Sequence, residues 1–221
     1  MDEIHNLLLS KFFHDIASPI NALGLLLEML KDRTPTEDIQ MAQQCCDSIS
    51  NFLRLYRILL PAQECTSKKF SDAGGAEIFK QVEDYLQKTS KKDGFSFENH
   101  VPARQISDSA GKIILCVFTL LRGSMHPLRS FVISPKNGEG IELAATSQQI
   151  TNTREFATVT AFFDNITRGL DVPNGAEYKS NALHLFLKQL LLEGLWAVSL
   201  LHNKNSVSLV LTRSSEPLNL R

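Results

Sequence analysis

The residues best suited to chemistry in this 221-residue chain stand close together near its start. They are His14, Asp15, Ser18 and Pro19, within the run S-K-F-F-H-D-I-A-S-P-I-N-A-L-G-L-L-L-E-M-L from Ser10 to Leu30. Neutral imidazole is a good nucleophile near neutral pH, and its lone pair can attack phosphorus in line. A neighbouring carboxylate can hold the tautomer that exposes the attacking nitrogen and can offset the positive charge that develops on the ring. Lys11 precedes His14 by three residues and lies close to it on a helix, where it can offer charge to a phosphoryl group; a plain surface lysine is the competing reading. Ser18, Asn21 and Ala22 follow at helical spacing from His14. They form either a floor small enough for a partner helix to approach or ordinary helix surface.

Positioning these side chains requires a helix, and the sequence supplies one. Leu9, Phe12 or Phe13, Ile16, Ile20, Leu23, Leu26 or Leu27, and Leu30 recur at helical intervals. Pro19 sits inside this pattern. It removes a backbone donor and crowds the Asp15 carbonyl, at a cost of about 3 kcal/mol or more. Packing alone does not ask for a kink there. Asp32 to Thr36 has turn composition, and Thr36 suits an N-cap with Glu37 and Asp38 in the first turn behind it. A second stripe then runs through Ile39, Ala42, Cys45 or Cys46, Ile49, Phe52 or Leu53, Tyr56 and Leu59, until Pro61 stops it. Two such helices make a hairpin about 40 Å long that cannot bury both stripes by itself. Pairing two copies as a four-helix bundle solves this, so the segment is expected to form a homodimer.

The rest of the chain changes character after a polar linker, Gln63 to Ala73. Ala76–Lys88 is expected as a helix, Gly94–Val101 as a strand, and Ala110–Ser124 as an apolar helix capped by Asp108. Phe131–Ile133 and Gly140–Ala145 suit strands joined by a Pro-Lys-Asn-Gly turn. Glu155 to Phe163, with Phe156, Val159 and Phe162-Phe163, is assigned an alternating pattern. A helix over Tyr178–Glu193 and a final hairpin of Trp196–Leu201 and Val207–Leu211 complete the sequence. The expected class is α+β, a long helical hairpin over residues 1–65 and a sheet with helices on one face over 70–221.

Composition narrows the function. Hydrophobic residues make up 43% and charged residues 21%, with a net charge of −1, so packed cores are within reach and no basic nucleic-acid footprint exists. The acidic start lacks the marks of a signal peptide, and the apolar runs are too short or too interrupted to span a bilayer, so a cytoplasmic location is expected. The four cysteines show no C-x-x-C spacing and no histidine cluster, which argues against structural zinc. Cys45 and Cys46 are read as small core residues. His5, nine residues before His14, is placed on a similar face but lacks an acidic follower. His100, His126, His184 and His202 fall in loops or at element ends. No G-x-S-x-G elbow supports serine hydrolysis.

His14-Asp15 followed by Ser18-Pro19 resembles the phosphoacceptor helix of two-component histidine kinases and their relatives. The order of elements after the hairpin is similar to the kinases' ATP-binding domain. The nucleotide-holding asparagines of that domain align with Thr119 and Gly123, so both are lost. Its Gly-rich turns are absent too, since Asp164, Gly169 and Gly175 are scattered. A phosphoacceptor hairpin with a degenerate kinase-like domain resembles the ChpT-type histidine phosphotransferases, whose carboxy-terminal segment is also similar to Asn181–Leu211. That resemblance implies a relay protein that binds no ATP and no cofactor. It would take phosphoryl from the receiver domain of a hybrid histidine kinase and pass it to cell-cycle response regulators, with Mg²⁺ held by the receiver. A non-catalytic dimeric scaffold that binds receivers, and an autophosphorylating kinase with an unusual nucleotide site, are the other readings.

Overall fold

The computed structural model describes residues 2–29, 36–60, 75–136, 140–148, 153–168, 182–203 and 205–213. The chain divides into two compact units, residues 1–66 and 67–221. The Asp32–Thr36 turn, apart from the Thr36 backbone, the Gln63–Ala73 linker and the glycines at 169 and 175 lie outside the described residues.

The first unit consists of α1 (Asp2–Met29) and α2 (Thr36–Leu59), packed against each other. The helix begins well before Ser10 and carries Pro19 in its interior without ending there. Leu8 and Leu26 of α1 are buried, as are Leu55, Tyr56, Ile58 and Leu59 of α2. The Phe12 and Tyr56 rings meet across the pair with centroids 4.8 Å apart. A second apolar set stays exposed: Leu9, Phe13, Ile20 and Leu27 on α1, and Ile39 and Leu53 on α2. The exposed residues of α1 stand four, seven and seven apart and the two of α2 fourteen apart, so on each helix they fall on one stripe. Cys46 lies seven residues from both Ile39 and Leu53 and is exposed with them, while Cys45 is half-buried. Neither is the core residue that composition suggested, because α2 turns them outward or to the rim of its seam with α1.

The second unit is a five-stranded sheet in the order β1-β2-β3-β5-β4, from β1 (Ser96–Asn99), β2 (Leu128–Lys136), β3 (Gly140–Ser147), β4 (Trp196–His202) and β5 (Ser206–Arg213). β1 pairs parallel with β2 and the remaining pairs are antiparallel. Register puts Phe131, Ile133, Leu143, Ala145, Val207, Leu209 and Leu211 on one buried face. Four helices cover that side: α3 (Gly75–Asp93), α4 (Asp108–Ser124), α5 (Thr153–Thr167) and α6 (Ala182–Glu193). α4 is central, packing against α3, α5 and α6. Its Phe118 is fully buried among Tyr85, Phe95 and Phe131. Gly94 closes α3 with φ +74°, a conformation costly for a side-chain-bearing residue, and its N–H donates to the Ser90 carbonyl.

Two local expectations are corrected. The cap of α4 is Ser107, whose Oγ accepts from the Ala110 N–H at 3.3 Å, and Asp108 is already the first helical residue. Glu155–Phe163 belongs to helix α5. Its buried residues Val159, Phe162, Phe163 and Ile166 follow the helical i, i+3, i+4, i+7 rule, not alternation. Thr158, Thr160 and Thr167 each return a hydroxyl to a carbonyl four residues earlier, which suits β-prone residues to a helix interior.

His184 has a structural place in the core. It is buried in α6 with its ring 4.8 Å from that of Phe162. Burial lowers its pKa to about 4. The folded state therefore favours the neutral ring more than the unfolded chain does. The associated stability is present above pH ~6.5 and lost as pH falls toward 4, amounting to roughly 3 kcal/mol. In denaturant titrations between pH 7 and pH 4, wild type is expected to lose stability relative to His184→Leu as pH falls, the variant showing the flatter profile. Parallel profiles would contradict this.

Candidate functional site

α1 presents His14 to solvent, its side chain 87% exposed, while the next residue turns inward and Asp15 is only 18% exposed. This follows from the 100° step between successive helix residues, which leaves Asp15 facing the seam with α2. His14 Nδ1 stands 3.5 Å from Asp15 Oδ1, a direct approach longer than a well-formed hydrogen bond. Lys11 Nζ lies 3.3 Å from the same oxygen. The other carboxylate oxygen, Oδ2, accepts a 3.0 Å hydrogen bond from the Tyr56 hydroxyl of α2. The structure thus brings Lys11, His14 and Asp15 together and adds Tyr56, which sequence reasoning counted only as part of the apolar stripe. The available signal was the phenol itself, since a buried tyrosine hydroxyl normally finds a polar partner.

Ser18 and Asn21 are exposed, and Pro19 and Ala22 half-buried. Pro19 and Ala22 line a shallow groove with Leu26 of α1 and with Met41 and Cys45 of α2. His5 does not share the His14 face: nine residues make about two and a half turns, which puts it on the opposite side of α1, half-buried. In the second unit, Thr119 uses its hydroxyl within α4, donating to the Leu115 carbonyl at 2.8 Å, and Gly123 closes the same helix near its end. Among the described residues no group of three or more His, Cys, Asp or Glu side chains is arranged to hold a metal ion. No described helix is long and apolar enough to cross a membrane.

The chain carries a two-helix unit with an exposed histidine followed by a five-stranded α+β unit, a fold similar to that of a solved bacterial phosphotransferase. The solved structure of one bacterial phosphotransferase aligns over 95% of this chain and 96% of its own, with a TM-score of 0.69 and 16% identity. Histidine kinase AdeS of Acinetobacter baumannii aligns over 91% of this chain and 98% of its own at TM-score 0.43 and 8% identity. The kinase domain of the blue-light activated histidine kinase EL346 of Erythrobacter litoralis gives 99% and 95% coverage, TM-score 0.40 and 12% identity. No protein-family model and no curated protein matches the sequence.

Proposed function

We propose that the chain is a cytoplasmic histidine phosphotransferase of a bacterial phosphorelay, with His14 as phosphoacceptor. It takes phosphoryl from the receiver aspartate of a hybrid histidine kinase and passes it to response-regulator receivers. The observation that carries this reading is the exposed His14 ring with a half-sequestered carboxylate 3.5 Å from Nδ1. With the Nδ1 proton directed at Asp15, the lone pair is on Nε2. That pair forms the N–P bond as the receiver's acyl–phosphate O–P bond breaks, and its electrons leave with the receiver aspartate. The ring becomes cationic as the bond forms, and the Nδ1 proton can shift toward Oδ1. Phosphoryl transfer of this kind needs positioning and charge neutralisation more than covalent help, and the receiver supplies Mg²⁺, a lysine and its aspartate. Ser18, Asn21 and Ala22 form the contact floor, and Lys11 contributes a cation at its edge.

The hairpin acts as a homodimer in this reading. The heptad-spaced exposed stripe of Leu9, Phe13, Ile20 and Leu27 with Ile39 and Leu53 has the pattern that a four-helix bundle covers. Light scattering is expected to give twice the 24.7 kDa chain mass, and Ile20→Glu to give the chain mass alone. A wild-type monomer would remove the bundle from the account.

The activity is tested by incubating the protein with radiolabelled phosphorylated receivers, with an ATP-only lane in parallel. Label moving from receiver to chain, and none from ATP, is the expected outcome. Binding without label transfer would instead favour the non-catalytic scaffold, and label from ATP alone an autophosphorylating kinase.

A further inference from the structure

Asp15 is held from two sides, and its two oxygens carry different duties. Oδ2 is occupied by the Tyr56 hydroxyl at 3.0 Å, reaching across from α2, whereas Oδ1 faces both Lys11 and His14 Nδ1. Tyr56 is buried, and its ring is fixed against Phe12 with centroids 4.8 Å apart, so its hydroxyl is a rigid point of attachment. A free aspartate on a helix samples several χ1 and χ2 settings, and only some of them direct an oxygen at the preceding residue's ring. Engaging Oδ2 from the second helix removes that freedom and leaves Oδ1 turned to the imidazole.

We propose that Tyr56 is a positioning residue for phosphoryl transfer, acting through Asp15 to hold His14 as the Nδ1–H tautomer with its lone pair on Nε2. This deepens the phosphotransferase reading and rests on it for the rate effect. The tautomer effect stands on the Tyr56–Asp15–His14 geometry alone. A second consequence concerns the hairpin. The Asp15 carboxylate is set by a residue of the other helix, so any shift of α2 against α1 changes the nucleophile's orientation as well as the shape of the surface around it.

The test uses the full chain labelled with ¹⁵N, and phosphoramidate as a small phosphoryl donor that needs no receiver. Histidine ¹⁵N–¹H spectra report which ring nitrogen of His14 carries the proton. Wild type is expected to show Nδ1–H as the predominant tautomer, and Tyr56→Phe, which keeps the ring and loses the hydroxyl, to lose that predominance. Phosphorylation of His14 should slow about tenfold in Tyr56→Phe, the order expected for losing one hydrogen bond to a charged group. Tyr56→Phe added to Asp15→Asn should slow it no further, because the tyrosine acts through the aspartate.

Nε2–H predominating in wild type would overturn the proposal without reference to any variant. Equal rates and equal tautomers in wild type and a folded Tyr56→Phe would overturn it as well. The expected tautomer shift in a protein that accepts no phosphoryl would uphold the positioning and reject the phosphotransferase reading instead.

Discussion

Replacing His14 by alanine is expected to lower phosphoryl uptake from any receiver by about a thousandfold or more, to background. No neighbouring group can substitute. Asp15 faces the seam between the helices, Lys11 is a cation already directed at that carboxylate, and Ser18 is a weak nucleophile without a base. The same change should leave the fold intact, because a side chain 87% exposed contributes little packing and alanine is the better helix former. Stability within about 0.5 kcal/mol of wild type and unchanged dimerisation are therefore part of the expectation. Asp15→Asn is graded differently. It keeps the shape of the side chain but removes the charge that offsets the developing imidazolium, so uptake should fall about a hundredfold, a general-base magnitude. Transfer kinetics with one phosphorylated receiver, run on wild type and both variants, check the ranking. An Asp15→Asn protein as fast as wild type would leave the carboxylate without a role.

The largest effect on stability is expected at Phe118. Its ring is fully buried at the centre of the second unit, with centroids 5.6 Å from Phe95 and 5.2 Å from Phe131. Truncation to alanine deletes that payload and leaves a cavity where helix α4 meets strand β2, a change worth about 3–5 kcal/mol. For a chain of this size the melting temperature should fall by roughly 10 °C. Leu201 is the control: it is 73% exposed, and Leu201→Ala should stay within about 0.5 kcal/mol. Calorimetry on the two variants separates them, and equal losses would mean that the core lies elsewhere.

The sequence made the candidate site partly legible because the site is partly local. His14, Asp15, Ser18 and Pro19 lie within six residues, and a helical period is enough to say that Lys11 and His14 are neighbours. Tyr56 was invisible for the opposite reason. It is 41 residues from Asp15, and their contact exists only once α1 and α2 are paired in one register. Periodicity marked Tyr56 as facing the seam without saying which polar group waits there.

The second unit shows the same division. The β2–β3 and β4–β5 hairpins announce themselves through turn residues between short apolar runs, and both form as pairs. Helix α5 does not announce itself, since Thr158, Thr160, Phe162 and Phe163 are residues that favour strands. Only burial on one face, and hydroxyls bonded back into the helix, reveal the period. His184 shows the same limit, because a polar residue type gives no hint of whether α6 turns it to solvent or into the core.

The most direct test of the central claim is to map the phosphoryl group after transfer from a phosphorylated receiver. The chain is digested at neutral to alkaline pH, where phosphohistidine survives, and the fragments are sequenced by mass spectrometry. One phosphoryl group on His14 is the predicted result. Phosphate on another residue, or an unmodified His14 after the receiver has lost its label to the chain, would contradict the account.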